Sequence, residues 1–160
     1  SLILKRLGID KTKFWKIFWK NDNPQERARN TEVYEDVEAL RELMDKNIRL
    51  GIVTGSLTQV ANAEIAKLDN YRLKFNSIVT NRPELGIKQK PHPDSLLIGL
   101  KELRVESSEA VYVGNAPEDL EAALSARIKP VIVLRRENKF TDGYGSATIV
   151  NSLYELPGIL

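Results

Sequence analysis

Residues 110–119 read Ala110-Val111-Tyr112-Val113-Gly114-Asn115-Ala116-Pro117-Glu118-Asp119, and this stretch decides the fold. A short apolar run stops at Gly-Asn, and a proline then opens a segment in which Leu120, Ala123 and Leu124 recur at helical spacing. The pattern is a buried strand passing into a helix. It repeats on both sides. Upstream, Ile48-Arg49-Leu50-Gly51-Ile52-Val53 stops at Thr54-Gly55-Ser56 and is followed by Leu57, Val60, Ala61, Ile65 and Leu68 at helical intervals. Ser77-Ile78-Val79-Thr80 precedes a helix opened by Pro93, with Leu96, Leu97, Leu100 and Leu103 facing inward. Downstream lie Pro130-Val131-Ile132-Val133-Leu134 and Thr148-Ile149-Val150, the second followed by a terminal helix near residues 153–156. Val33, Val37, Leu40, Leu43 and Met44 mark an amphipathic helix near residues 35–47. Five short, continuously apolar strands separated by helices predict an α/β fold, a three-layer doubly wound, Rossmann-like parallel sheet covered on both faces. In such sheets ligands bind beyond the carboxyl ends of the strands, so Thr54, Thr80, the loop around Lys90, and Asn115 with Asp119 converge on one rim.

The chain has 160 residues, which predicts one domain with a core of its own. Lys+Arg 24 against Asp+Glu 22 gives a net charge of +2, too small for a whole-protein field that captures nucleic acid or an acidic membrane. Neither partner is expected. No apolar run is long enough to span a bilayer and no secretory leader opens the chain, so a cytoplasmic location is the default expectation. With no cysteine and a single histidine, thiol catalysis, thiolate zinc and histidine metal clusters are excluded, and oxygen chemistry remains.

Leu2, Ile3 and Leu7, then Phe14, Trp15, Ile17, Phe18 and Trp19, predict two short helices split around Gly8-Ile9-Asp10, with Asp10 as N-cap of the second. Asn21-Asp22-Asn23-Pro24 ends that helix, and a polar stretch runs through Thr31. Basic and aromatic residues interleave over residues 11–20, a composition also found in single-stranded nucleic-acid sites. Lys13, Lys16 and Lys20 fall on one helix face and Phe14, Trp15, Phe18 and Trp19 on the other, which predicts a packed amphipathic helix instead.

Glycine-rich dinucleotide and P-loop signatures are absent, as is a nucleophile elbow, and His92 follows no matching serine. Three segments remain: Ile52-Val53-Thr54-Gly55-Ser56, Lys90-Pro91-His92-Pro93-Asp94, and the stretch ending in Asp119. A hydroxyl with backbone amides, a cation in a proline-stiffened loop, and two oxygen ligands at another strand end would together hold a phosphoryl group and Mg²⁺. Each has a plainer reading. Thr54-Gly55-Ser56 alone is a strand-to-helix turn with Ser56 as N-cap, Asn115 with Glu118 is a capping-box start that does not need Asp119, and His92 is exposed and silent.

In order and spacing these segments resemble the haloacid dehalogenase-like superfamily, in its phosphoglycolate phosphatase and β-phosphoglucomutase-like branch, from about Val33 to Leu160. The resemblance implies that Thr54 and Lys90 are catalytic, that Thr54, Gly55, Ser56 and Lys90 hold the phosphoryl group, and that Asn115 and Asp119 bind Mg²⁺. It implies a small helical cap over residues 1–32 on an α/β core over residues 33–160, and hydrolysis of a small-molecule phosphate ester through an aspartyl-phosphate. The family's first motif, an apolar strand ending in Asp-x-Asp-x-Thr, is not in the sequence, and Asn115 stands where the fourth motif usually has Asp. In the family that first strand is central in the sheet. A stretch of roughly 10 to 25 residues, one strand and a loop carrying the nucleophile, is therefore expected ahead of Ser1. The alternative is a non-catalytic relative with a binding or assembly role. A phosphoacceptor receiver-type domain fits worse, because Lys90-Pro91 lies mid-chain with three further strands after it. Oligomeric state is not legible here.

Overall fold

The computed structural model describes residues 4, 6–136, 144, 145 and 147–160, with the side chains of residues 11, 19 and 83 outside that description. The helix expected over residues 2–7 lies largely outside it; Leu4 and Arg6 are helical. Helix α1 (Lys11–Asn21) begins where Asp10 Oδ1 accepts from the Lys13 amide at 2.6 Å, the cap expected there. The polar stretch that follows contains a helix that apolar periodicity does not reveal, α2 (Pro24–Asn30), in which only Ala28 is buried. Its start signal was nonetheless written in the chain. Asn23 Oδ1 accepts from the amides of Gln25 and Glu26 at 3.1 Å each, and Pro24 fills the first turn.

A 3₁₀ turn (Glu35–Glu38) leads into α3 (Ala39–Asp45), followed by β1 (Leu50–Leu57), α4 (Thr58–Ile65), β2 (Phe75–Asn81) and α5 (Asp94–Leu103). Then come β3 (Val111–Gly114), α6 (Pro117–Ser125), β4 (Lys129–Val133), β5 (Thr148–Val150) and a closing 3₁₀ segment (Leu153–Gly158). All strand pairs are parallel, as expected of α/β crossovers: β1 with β2, and β3 with β4 with β5. They form two sheets where one was expected, and among the described residues no strand joins β1 to β3.

The covering layers are nevertheless shared. On one face Leu43, Leu50, Val131, Val133, Val150 and Leu156 form a single cluster, so β1, β4 and β5 lie under the same layer of α3 and the closing segment. On the other, Leu96 and Leu100 of α5 meet Ala122 and Ala123 of α6, with Val53 of β1 and Tyr112 of β3 packed against them. Each fully buried Val, Leu or Ile side chain among them contributes about 1.5–3 kcal/mol. The result is one three-layer α/β sandwich whose sheet is interrupted between β1 and β3. Helix α2 packs on α4, with Arg27 3.5 Å from Glu64.

One buried ion pair ties the ends of this core together. Asp36 accepts from Arg135 at 2.8 and 2.9 Å, from Ser152 Oγ at 2.9 Å and from the Leu153 amide at 2.8 Å. The Arg135 guanidinium also lies 4.1 Å from the centroid of the Tyr34 ring. Burial alone would raise the Asp36 pKa, but the Arg135, Leu153 and Ser152 hydrogen bonds and the Arg135 charge outweigh it and hold the carboxyl below its ordinary range.

Candidate active site

Lys90 stands in the loop between β2 and α5 and is only 18% exposed. Its ammonium donates to Asp119 Oδ1 at 2.6 Å and to the Tyr112 hydroxyl at 2.9 Å, while Tyr112 donates to the same carboxylate oxygen at 3.2 Å. Burial alone would lower the Lys90 pKa; the Tyr112 oxygen and the Asp119 carboxylate reverse this and hold it above the ordinary lysine range. Burial pushes the Tyr112 hydroxyl up, so it stays protonated and able to donate. A lysine has three N–H donors, and two are committed here among the described residues. The third gives a fixed cation its reach.

The sequence folds this way at β3 because of Asp119. Its second oxygen accepts from the amides of Asn115 at 3.0 Å and Ala116 at 3.1 Å, satisfying the first turn of α6. The capping pair expected of Asn115 and Glu118 is therefore corrected. Ala116 is the N-cap and has no side-chain oxygen, so the acid at the third helical position reaches back in its place. Asn115 is exposed. Gly114 makes this turn possible, since a Cβ there would stand 2.3 Å from Asp119 Cβ and 2.6 Å from its Cγ. We expect Gly114→Ala to displace Asp119 from its amides and to cost about 1–3 kcal/mol, read as a lowered thermal midpoint. An unchanged midpoint would mean that the turn accommodates a methyl group.

The other expected site residues approach through neighbours. β1 continues through Thr54-Gly55-Ser56 instead of stopping there, but the β1–β2 register slips between Val53 and Leu57 and leaves these three residues outside the ladder. Thr54 Oγ1 accepts from the Ser56 amide at 3.1 Å and keeps its own hydrogen to donate. Ser56 is not the N-cap expected of it; Leu57 is, without a side-chain bond, and the Ser56 hydroxyl lies 3.4 Å from Glu64. A Cβ on Gly55 would stand 3.6 Å from Gln89 Oε1, beside Lys90, and Gln89 donates to Asn81 at the end of β2 at 2.8 Å. The ends of β1, β2 and β3 thus meet around residues 89 and 90. Thr80 is turned to Thr58, 2.7 Å away, and His92 Nδ1 lies 2.9 Å from Asp94.

Sequence reasoning did not single out Tyr112 or Tyr144. Tyr112 lies in a strand that reads as purely structural. Tyr144, 3% exposed, packs on Leu120 and Ile132, and its hydroxyl has no hydrogen-bond partner among the described residues. Burial, then the charges of Asp119 and Glu118, push its pKa up.

Of the residues expected to hold Mg²⁺, Asn115 is exposed and Asp119 is buried with its carboxylate already engaged. Among the described residues no cluster of three or more His, Asp or Glu side chains could hold a metal, and both Asp119 oxygens already accept two donors each. What the arrangement offers is an anchored ammonium at a parallel-sheet rim, suited to an anion.

A family model described as haloacid dehalogenase-like hydrolase matches residues 2–133. A protein named as a pyrophosphatase PpaX, from Caldanaerobacter subterraneus subsp. tengcongensis, is 32% identical over 135 residues, covering 82% of this chain and 59% of that protein. The glyceraldehyde 3-phosphate phosphatase of Methanocaldococcus jannaschii is 31% identical over 127 residues, covering 78% of this chain and 54% of that protein. The chain thus spans between half and three-fifths of the length of these curated relatives. A crystal structure of a HAD phosphatase from Thermococcus onnurineus superposes with a TM-score of 0.72 at 30% identity, covering 94% of this chain and 70% of that one. The matched residues include Thr54, Lys90 and Asp119, and on that match this chain belongs to the haloacid dehalogenase-like hydrolase family.

Proposed function

We propose that this chain carries the phosphate-holding rim of a phosphomonoester hydrolase, acting on a small phosphorylated metabolite through an aspartyl-phosphate whose aspartate precedes Ser1 in the full-length protein. The observation that carries this reading is Lys90, a buried ammonium fixed by Asp119 and Tyr112 at the place where three strand ends meet. The interruption between β1 and β3 supports it as well, because a strand seated there would bring a carboxylate to the same rim. In the reaction, a carboxylate oxygen of that aspartate forms a bond to phosphorus as the ester P–O bond breaks, and the alcohol departs with a proton from a neighbouring acid. Water then cleaves the acyl phosphate and inorganic phosphate leaves. Lys90 neutralises the phosphoryl oxygens through both displacements, and Thr54 donates its hydroxyl hydrogen to one of them.

The relatives are named for pyrophosphate, glyceraldehyde 3-phosphate and phosphoglycolate, small phosphate compounds of the class proposed here. Mg²⁺ dependence belongs to the same reading, with its acidic ligands arriving on the nucleophile strand and Asn115 offering a neutral amide oxygen. Residues 1–32 would act as the cap over a comparatively open entrance. A second reading, a non-catalytic relative, is favoured by Asn115, which brings no charge to a position where the family usually has an acid. The two separate in one assay. The full-length protein is expected to release p-nitrophenol from p-nitrophenyl phosphate in the presence of Mg²⁺ and to stop on chelation. A folded full-length protein without turnover would select the non-catalytic reading.

A further inference from the structure

Tyr112 sits among the rim residues, yet no sequence motif announces it. Alternation along β3 turns Val111 and Val113 to the layer of α3 and the closing segment, and Tyr112 to the opposite layer. There its ring packs on the cluster formed by Leu96 and Leu100 of α5 with Ala122 and Ala123 of α6. The same two helices hold its polar partners: Lys90 stands in the loop leading into α5, and Asp119 lies in the first turn of α6. A ring seated in this cluster offers only its hydroxyl to Lys90, 2.9 Å from the ammonium, with Nζ 5.5 Å from the ring centroid. Packing thus fixes a short, stiff aromatic side chain against the head of a long, flexible one. Asp119 does not depend on this hydroxyl, because Oδ1 already accepts from Lys90 at 2.6 Å and Oδ2 from two amides.

We propose that Tyr112 is a positioning residue for the phosphoryl transfer, its hydroxyl fixing, together with Asp119, the direction in which Lys90 presents its remaining N–H. This rests on the phosphatase reading of the rim. An ammonium held by one acceptor still turns about that contact. The Tyr112 hydroxyl, 3.2 Å from Asp119 Oδ1, completes a triangle with the carboxylate oxygen and Nζ, and two acceptors at separate corners leave the third N–H one direction. Asp119 supplies the countercharge and Tyr112 the orientation. In this role the hydroxyl acts through Lys90 and not on the substrate.

A double-mutant cycle on kcat separates this role from simple core filling. Wild type, Tyr112→Phe, Lys90→Ala and the double variant are assayed as full-length proteins on p-nitrophenyl phosphate with Mg²⁺, each rate normalised to the folded fraction by circular dichroism. Phenylalanine keeps the ring, and Lys90 and Asp119 keep each other. Tyr112→Phe is expected to lower kcat roughly tenfold, the worth of one hydrogen bond to a charged group, and to move KM by less. In the Lys90→Ala background the same exchange is expected to change kcat by less than about twofold, because the residue through which it acts is gone. Tyr112→Leu, a second variant without the hydroxyl, runs beside it so that the cycle is read even where one of the two does not fold. Equal losses in both backgrounds would tie the hydroxyl to the fold and overturn the inference. Wild-type kcat in folded Tyr112→Phe, beside a large loss in Lys90→Ala, would overturn it and leave the phosphatase reading standing. A folded wild type without turnover would overturn both.

Discussion

Replacing Lys90 by alanine in the full-length protein is expected to lower kcat on p-nitrophenyl phosphate by roughly 10²-fold or more, the usual consequence of removing one preorganised transition-state donor. The expectation rests on how the ammonium is held. Two of its donors are spent on Asp119 and Tyr112, so the third is fixed before substrate arrives and needs no reorganisation during the displacement. The variant leaves Asp119, 6% exposed, without its countercharge, and that has a stability cost of its own. Three donors remain to it, the amides of Asn115 and Ala116 and the Tyr112 hydroxyl, so the fold is expected to survive. A melting curve taken beside the kinetics separates the two effects. Loss of kcat in a folded variant assigns Lys90 to the reaction, whereas unchanged kcat removes the residue on which the proposed function depends. The pH profile carries the same sign. Lysine works as the ammonium, which is present below its pKa, and because that pKa is held above the ordinary range, any alkaline limb due to Lys90 is displaced upward.

The strands were legible because parallel strands covered on both faces appear as short, continuous runs of Val and Ile, and Val111-Tyr112-Val113 and Pro130-Val131-Ile132-Val133 sit where the sequence puts them. Helix α2 escaped because its only buried residue is Ala28 and its start is encoded in Asn23-Pro24, which is also a turn signal. The Thr54 segment was misjudged for a different reason. A register slip within a strand leaves no trace in hydrophobic pattern, so its last residues read as a turn. At the rim, Lys90 and Asp119 were both identified by motif, but their contact with each other joins residues 29 apart in sequence and the Tyr112 hydroxyl has no local signature at all. The interruption of the sheet between β1 and β3 has no local signature either, because strand pairing is a property of residues far apart in the chain.

Asp36 was read only as part of a helix, yet its loss is expected to have the largest effect on stability. Asp36→Ala removes the one acceptor shared by Arg135, Ser152 and the Leu153 amide and leaves a guanidinium, 12% exposed, with no carboxylate in the core. Breaking a buried pair by deleting one partner costs about 3–5 kcal/mol, which for a domain of this size lowers the melting midpoint by roughly 6–20 °C. The loss comes from the stranded charge more than from the missing attraction. A second exchange, Arg135→Met, is therefore expected to return part of the stability, and a double variant no more stable than Asp36→Ala alone would refute that account. Acidity gives an independent check. The folded protein holds the Asp36 pKa below its unfolded value, so the stabilisation is present above the unfolded pKa and disappears as pH falls through the folded one. Wild type is thus expected to lose more stability than Asp36→Ala on acidification below about pH 4, and the gap between their melting midpoints to narrow. A gap that stays constant into acid would mean that the carboxylate charge contributes nothing and that the clamp acts only by packing.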